Sequence, residues 1–126
     1  MKRILVVDDE EAIRLLYHEE LTDAGYHVEL ARSGEEALRK LEAGRPDLMT
    51  VDIRMPGMDG IELVSRVREG HRELPIILCS AYDHRRDFGT WAGDAYVTKS
   101  SDLTELKQKV HELLGGPPGY RTGTDA

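Results

Sequence analysis

The chain is short of three things, and each shortage excludes a class of protein. It has one cysteine, Cys79, which leaves no internal disulfide and no cysteine-based metal cluster. That cysteine lies inside an apolar run, so a buried, inert thiol is expected. It has no long apolar stretch. The start, Met1-Lys2-Arg3-Ile4, carries neither a signal-peptide pattern nor a membrane span, which makes the cytoplasm the expected compartment. It has no basic surplus either. Seventeen basic residues against 24 acidic ones give a net charge of -7, which argues against direct nucleic-acid binding. The five histidines show no metal-ligand spacing. No internal repeat is present, and Gly57 and Gly60 lack the pattern of a nucleotide-binding phosphate loop.

What is present suits one soluble domain. At 126 residues the chain can bury a real core. Ile4-Leu5-Val6-Val7 is wholly apolar, as a central parallel strand should be, and it stops at Asp8-Asp9-Glu10. A helix follows, with Ile13, Leu16, Tyr17, Leu21 and Ala24 on one face and Gly25 as its stop. His27-Val28-Glu29-Leu30-Ala31 alternates, which suits a strand near a sheet edge. Ser33-Gly34-Glu35-Glu36 reads as a capping box for a helix carrying Ala37, Leu38 and Leu41. A second apolar run ends at Asp52, and Pro56-Gly57-Met58 turns the chain. Asp59 to Glu62 reads as another capping box, opening a helix that turns Ile61, Val64 and Val67 inward. Ile76 to Ser80 is a third apolar run. Asp94-Ala95-Tyr96-Val97-Thr98 alternates and ends at Lys99. A last helix opens near Asp102, with Leu103, Leu106, Val110 and Leu113 on its apolar side.

Five strands alternating with helices predict a doubly wound α/β fold, a parallel sheet in the flavodoxin-like order 2-1-3-4-5. Residues 1–115 should form the domain and 116–126 a loose tail. Between Ser80 and Asp94 a helix is due. Two glycines and weak periodicity predict a short turn of helix at most, with Phe88 and Trp91 pinning a loop.

In such a sheet the carboxyl ends of the strands share one crevice. Asp8 and Asp9, Asp52, Ser80 and Lys99 all stand at strand ends. Carboxylates crowded together repel and cannot all stay ionised cheaply without a cation. Few protein oxygens with several waters suit Mg²⁺, which is usually shared with a phosphate. Lys99 and Ser80 can hold further phosphate oxygens. A carboxylate beside Mg²⁺ can act as a nucleophile and form an acyl phosphate.

The ordered set Val6-Val7-Asp8-Asp9-Glu10, Asp52 with Met55-Pro56-Gly57-Met58-Asp59-Gly60, Ser80-Ala81 and Tyr96-Val97-Thr98-Lys99 resembles the receiver domains of two-component response regulators, over about Lys2 to Leu114. The resemblance implies that Asp52 takes a phosphoryl group from a sensor histidine kinase or phosphotransfer protein. It implies Mg²⁺ on Asp9, Asp52 and the Arg54 backbone carbonyl, with Asp8 helping through water. Lys99 would pair with Asp52 or its phosphate, and Ser80 and Tyr96 would form the switch. The output would be modulation of a protein partner, with homodimerisation on phosphorylation as one option, and not enzyme turnover. Two departures stand out. Ser100 follows Lys99 where the family usually has proline, so that peptide is either trans or held by strain. The span from Ser80 to Lys99 is also short. The other classes are a pseudo-receiver that never takes phosphate and a haloacid-dehalogenase-type hydrolase. The latter pattern wants acids one residue apart after the first strand, whereas Asp8, Asp9 and Glu10 are consecutive. The chain reads as a stand-alone regulator or a piece of a longer one.

Overall fold

A computed structural model describes residues 1–81, 94–99 and 103–115. The helix expected between Ser80 and Asp94, with Phe88 and Trp91, lies outside the described residues. So do Ser100, Asp102 and the expected tail at 116–126.

The five apolar or alternating runs form strands β1 (Arg3–Val7), β2 (His27–Ala31), β3 (Leu48–Asp52), β4 (Ile76–Ser80) and β5 (Ala95–Thr98). All pairings are parallel, in the order β2-β1-β3-β4-β5. The three solidly apolar runs are the central strands. They are buried on both faces and carry one polar side chain short of their ends, the buried Thr50 of β3. The two alternating strands are the edges, as their pattern predicts.

Among the described residues four helices connect them: α1 (Glu11–Asp23), α2 (Gly34–Ala43), α3 (Gly60–Gly70) and α4 (Thr104–Leu114). Side chains alternate across the sheet and build two cores. Leu5, Val7, Met49, Val51, Ile76 and Leu78 meet Ala37 and Leu41 of α2 and Leu63, Val64 and Val67 of α3. On the other face Ile4, Val6, Leu48, Ile77 and Cys79 meet Tyr17 and Leu21 of α1 and Leu106 and Val110 of α4. Each buried Leu or Ile stabilises the fold by about 1.5–3 kcal/mol.

The helix ends follow local chemistry, with two departures. Ser33 and Asp59 cap α2 and α3 by accepting from Glu36 N–H at 3.1 Å and Glu62 N–H at 2.8 Å. Neither box closes reciprocally. The Glu36 carboxylate accepts instead from the Arg32 backbone N–H, and Glu62 turns outward to Arg66 at 2.9 Å. For Glu62 an arginine one turn on competes for the carboxylate, which the four-residue box pattern ignores. Helix α1 ends as expected, with Gly25 at φ 101°. Helix α4 has Leu103 at its N-cap, which offers no side-chain cap, and Gly115 at its C-cap in the left-handed region.

Candidate functional site

The crevice is built at the carboxyl rim of β1, β3 and β4. Asp52 is the last residue of β3 and is only 4% exposed. The chain turns immediately after it, and the turn is tightly made. Ile53 N–H donates to the Cys79 carbonyl at 2.9 Å, and Gly60 N–H donates to the Ile53 carbonyl at 2.8 Å. Helix α3 thereby starts against the backbone of its own preceding strand. A Cβ at Gly60 would lie 2.2 Å from the Asp52 carbonyl oxygen, so only glycine fits there. Gly57 turns the loop at φ +74°, while Met55 and Met58 anchor it by burial.

Asp8 is also buried, and Asp9 beside it is exposed. The backbone of Asp8 is continuous with the sheet, since its N–H donates to the Ala31 carbonyl at 3.1 Å. One carboxylate oxygen of Asp8 accepts from Glu10 N–H at 2.9 Å. The other lies 2.7 Å from Lys99 Nζ. Lys99 follows β5 directly, and its backbone N–H donates to the Ser80 carbonyl. Its ammonium also stands 3.1 Å from the Asp52 carboxylate and 3.9 Å from Glu10. It therefore bridges acids from two different strands.

Carboxylate oxygens of Asp8, Asp9 and Asp52 all lie within 4.8 Å of one another. Opposed oxygens in an octahedral Mg²⁺ shell are about 4 Å apart, so the donor set is hard, oxygen-only and compact enough for that ion. The electrostatics point the same way. Burial, then the Asp8 charge, push the Asp52 carboxyl up to about 6, against the lowering effect of Lys99 and of the Arg54 N–H at 3.2 Å. Burial alone would lower Lys99. The hydrogen bond to Asp8 and the charges of Asp8 and Asp52 outweigh it and hold the ammonium above its ordinary value.

Ser80 closes β4 and is fully buried, at the same rim. Tyr96 is half-buried in β5, opposite Leu78, and packs against the α2/α3 core. Beneath the rim Cys79 is buried, as its apolar run predicts. Burial pushes its thiol up to about 12, so it is not a nucleophile. The strand-end residues of the sequence pattern thus converge on one crevice. Two contacts had no counterpart in that pattern: Lys99 is nearer to Asp8 than to Asp52, and Arg14 Nη1 donates to the Asp8 carbonyl at 2.8 Å. Both depend on where α1 and β5 lie over the strand ends, which residue spacing does not encode.

Residues 4–111 match the family model described as the response regulator receiver domain. Among curated proteins, the chain is 40% identical over 116 residues to the alkaline phosphatase synthesis transcriptional regulatory protein PhoP of Bacillus subtilis, covering 90% of this chain and 48% of that one. It is 41% identical over 115 residues to the response regulator MprA of Mycobacterium tuberculosis, covering 89% and 50%. The chain thus spans about half the length of these relatives. Among solved structures, the response regulator TrrA of Thermotoga maritima, in complex with Mg²⁺-BeF, is similar at 50% identity and a TM-score of 0.85, covering 90% of this chain and all of that one. A structure of the histidine kinase ThkA in complex with TrrA matches at a TM-score of 0.84, 50% identity and coverage of 90% and 99%. The chemotaxis response regulator CheY4 of Vibrio cholerae is 31% identical at a TM-score of 0.85, covering 90% and 99%. No helix among the described residues is long and apolar enough to cross a membrane. With its strand order, its acidic rim and the family match agreeing over nearly the whole sheet, the chain belongs to the receiver domains of two-component response regulators.

Proposed function

We propose that Asp52 of the unit at residues 1–115 accepts a phosphoryl group from the phosphohistidine of a sensor kinase or phosphotransfer protein in the cytoplasm. The observation that carries this reading is the convergence at Asp52. Its buried carboxylate lies 3.1 Å from Lys99 Nζ and within 4.8 Å of acids from a separate strand. A carboxyl raised to about 6 is ionised at neutral pH, yet more basic than an ordinary aspartate and so a better nucleophile.

In the proposed step an Asp52 carboxylate oxygen attacks phosphorus. The P–O bond forms, the P–N bond breaks, and the imidazole leaves with the electron pair and takes a proton from solvent. Asp9, Asp52 and the Arg54 carbonyl would hold Mg²⁺, with Asp8 acting through water, and the ion would offset the charge gathering on the phosphoryl oxygens. Lys99 would release part of its contact with Asp52 and donate to a phosphoryl oxygen. Asp8, at 2.7 Å, keeps that ammonium charged and aimed. The Ser80 hydroxyl, at the same rim, would turn to the phosphoryl group, and Tyr96 would change rotamer with it. Such a shift need only tilt a two-state equilibrium. A protein partner would read the new surface, with pairing of two phosphorylated copies as one form of output. The chain's own catalysis would be limited to its phosphotransfer and hydrolysis of the acyl phosphate.

Incubation with acetyl phosphate and Mg²⁺, followed by intact mass, tests this. One phosphoryl adduct is expected in the wild type and none in Asp52→Asn. No adduct under any condition would leave a pseudo-receiver, and an adduct on Asp8 would favour a hydrolase.

A further inference from the structure

We infer that Arg14 is a positioning residue for the divalent ion, acting through the peptide that joins Asp8 to Asp9; the inference rests on the metal-dependent reading of the site above. Asp8 is fixed at four atoms. Its N–H bonds to Ala31, its two carboxylate oxygens to Glu10 N–H and Lys99, and its carbonyl accepts from Arg14 Nη1 at 2.8 Å. Asp9 is different. It is exposed, and among the described residues its carboxylate makes no hydrogen bond or ion pair. Among these residues no partner side chain holds it in the acidic group, so its aim depends on its own rotamer and on the backbone that carries it.

The carbonyl that Arg14 holds belongs to the Asp8–Asp9 peptide plane. A turn of that plane that φ of Asp9 does not fully compensate re-aims the Asp9 Cα–Cβ bond, and with it the carboxylate, while Asp8 can stay anchored by its other three bonds. Arg14 can hold the plane because it is fixed in turn. Its own N–H bonds to the Glu10 carbonyl at 3.1 Å in the first turn of α1, and its side chain is half-buried. A charged guanidinium donating to a carbonyl is among the stronger hydrogen bonds available to a backbone oxygen. Partners that orient a metal ligand without touching the metal typically change affinity by about 10–100-fold when removed.

The test is calorimetric titration of Mg²⁺ into the unphosphorylated full chain, alongside thermal unfolding. Arg14→Met keeps the apolar stem and removes the donors. It should weaken Mg²⁺ binding about tenfold, while acyl-phosphate formation at saturating Mg²⁺ stays near the wild-type rate. Arg14→Lys restores a donor and should recover part of the affinity. Arg66→Ala, on the exposed face of α3, should leave affinity unchanged. Mg²⁺ affinity within twofold of the wild type in folded Arg14→Met, whatever its unfolding temperature, would overturn the inference and leave the phosphoacceptor reading intact. A wild-type chain that binds no Mg²⁺ would overturn both.

Discussion

The two rims of the sheet use the same kinds of charge to opposite ends. At the amino rim Arg3 pairs with Glu29, and its backbone N–H donates to Asp47 at 2.7 Å. Arg68 donates to the carbonyls of His71, Arg72 and Leu74 and pairs with Asp94 at 2.9 Å. Asp94 in turn accepts from Ile76 N–H. These arginines meet their acids near the surface, with the Arg3 and Glu29 side chains 41% and 35% exposed. At the carboxyl rim the Asp8 and Asp52 side chains are 3% and 4% exposed, and one ammonium faces the carboxylates of Asp8, Asp52 and Glu10. Balanced, wet pairs close the ends of strands and contribute little else. An acid surplus in a dry crevice is a site that needs another cation.

Three changes separate the rims, from the largest effect to the smallest. Lys99→Ala leaves Asp8 and Asp52 buried without their counter-charge. Stability at neutral pH should fall by about 3 kcal/mol, read from denaturant midpoints, and added Mg²⁺ should restore more of it than it adds to the wild type.

Asp52→Asn should act in the opposite direction on stability while it abolishes the phosphoryl adduct. The folded state raises the Asp52 pKa from 3.8 to about 6, so the folded form binds a proton more tightly than the unfolded one. The contribution of Asp52 is fully present below about pH 4 and is lost as pH rises through about 6. Asparagine removes that loss. It should be more stable than wild type by about 1–2 kcal/mol at neutral pH, after allowance for solvent screening, and lack the wild-type decline between those pH values. Denaturant melts at several pH values check both. Smallest is Asp94→Ala at the amino rim, which should cost about 1 kcal/mol in the same melts and leave acetyl-phosphate labelling unchanged.

Much of this division is legible in the residues. Which strands are central and which are edges follows from which runs alternate, and the doubly wound pattern with that assignment fits the order β2-β1-β3-β4-β5. A parallel sheet then obliges Asp8, Asp52, Ser80 and Lys99 to share a rim, so the site follows from topology. What the residues do not carry is choice among near-equal partners. Lys99 has two acids in reach, and its 2.7 Å contact with Asp8 against 3.1 Å with Asp52 reflects how β5 lies beside β4. Glu62 had the capping box within reach and pairs with Arg66. Arg14 reads as one more polar position on an amphipathic helix, because its bond is to a backbone carbonyl that spacing does not mark. The packing of Gly60 on the Asp52 carbonyl is similarly invisible, although the glycine itself is plain in the turn.

Whether the acids of β1 and β3 and the ammonium of Lys99 together make a phosphoryl site that depends on a divalent ion is directly measurable. Fluorine NMR of the chain with beryllofluoride, with and without Mg²⁺, addresses that without any donor protein. Bound-fluoride resonances are predicted only when Mg²⁺ and Asp52 are both present, and they should be weakened in Lys99→Ala. Bound signal that survives Asp52→Asn, or no bound signal at saturating Mg²⁺ in the wild type, would contradict it.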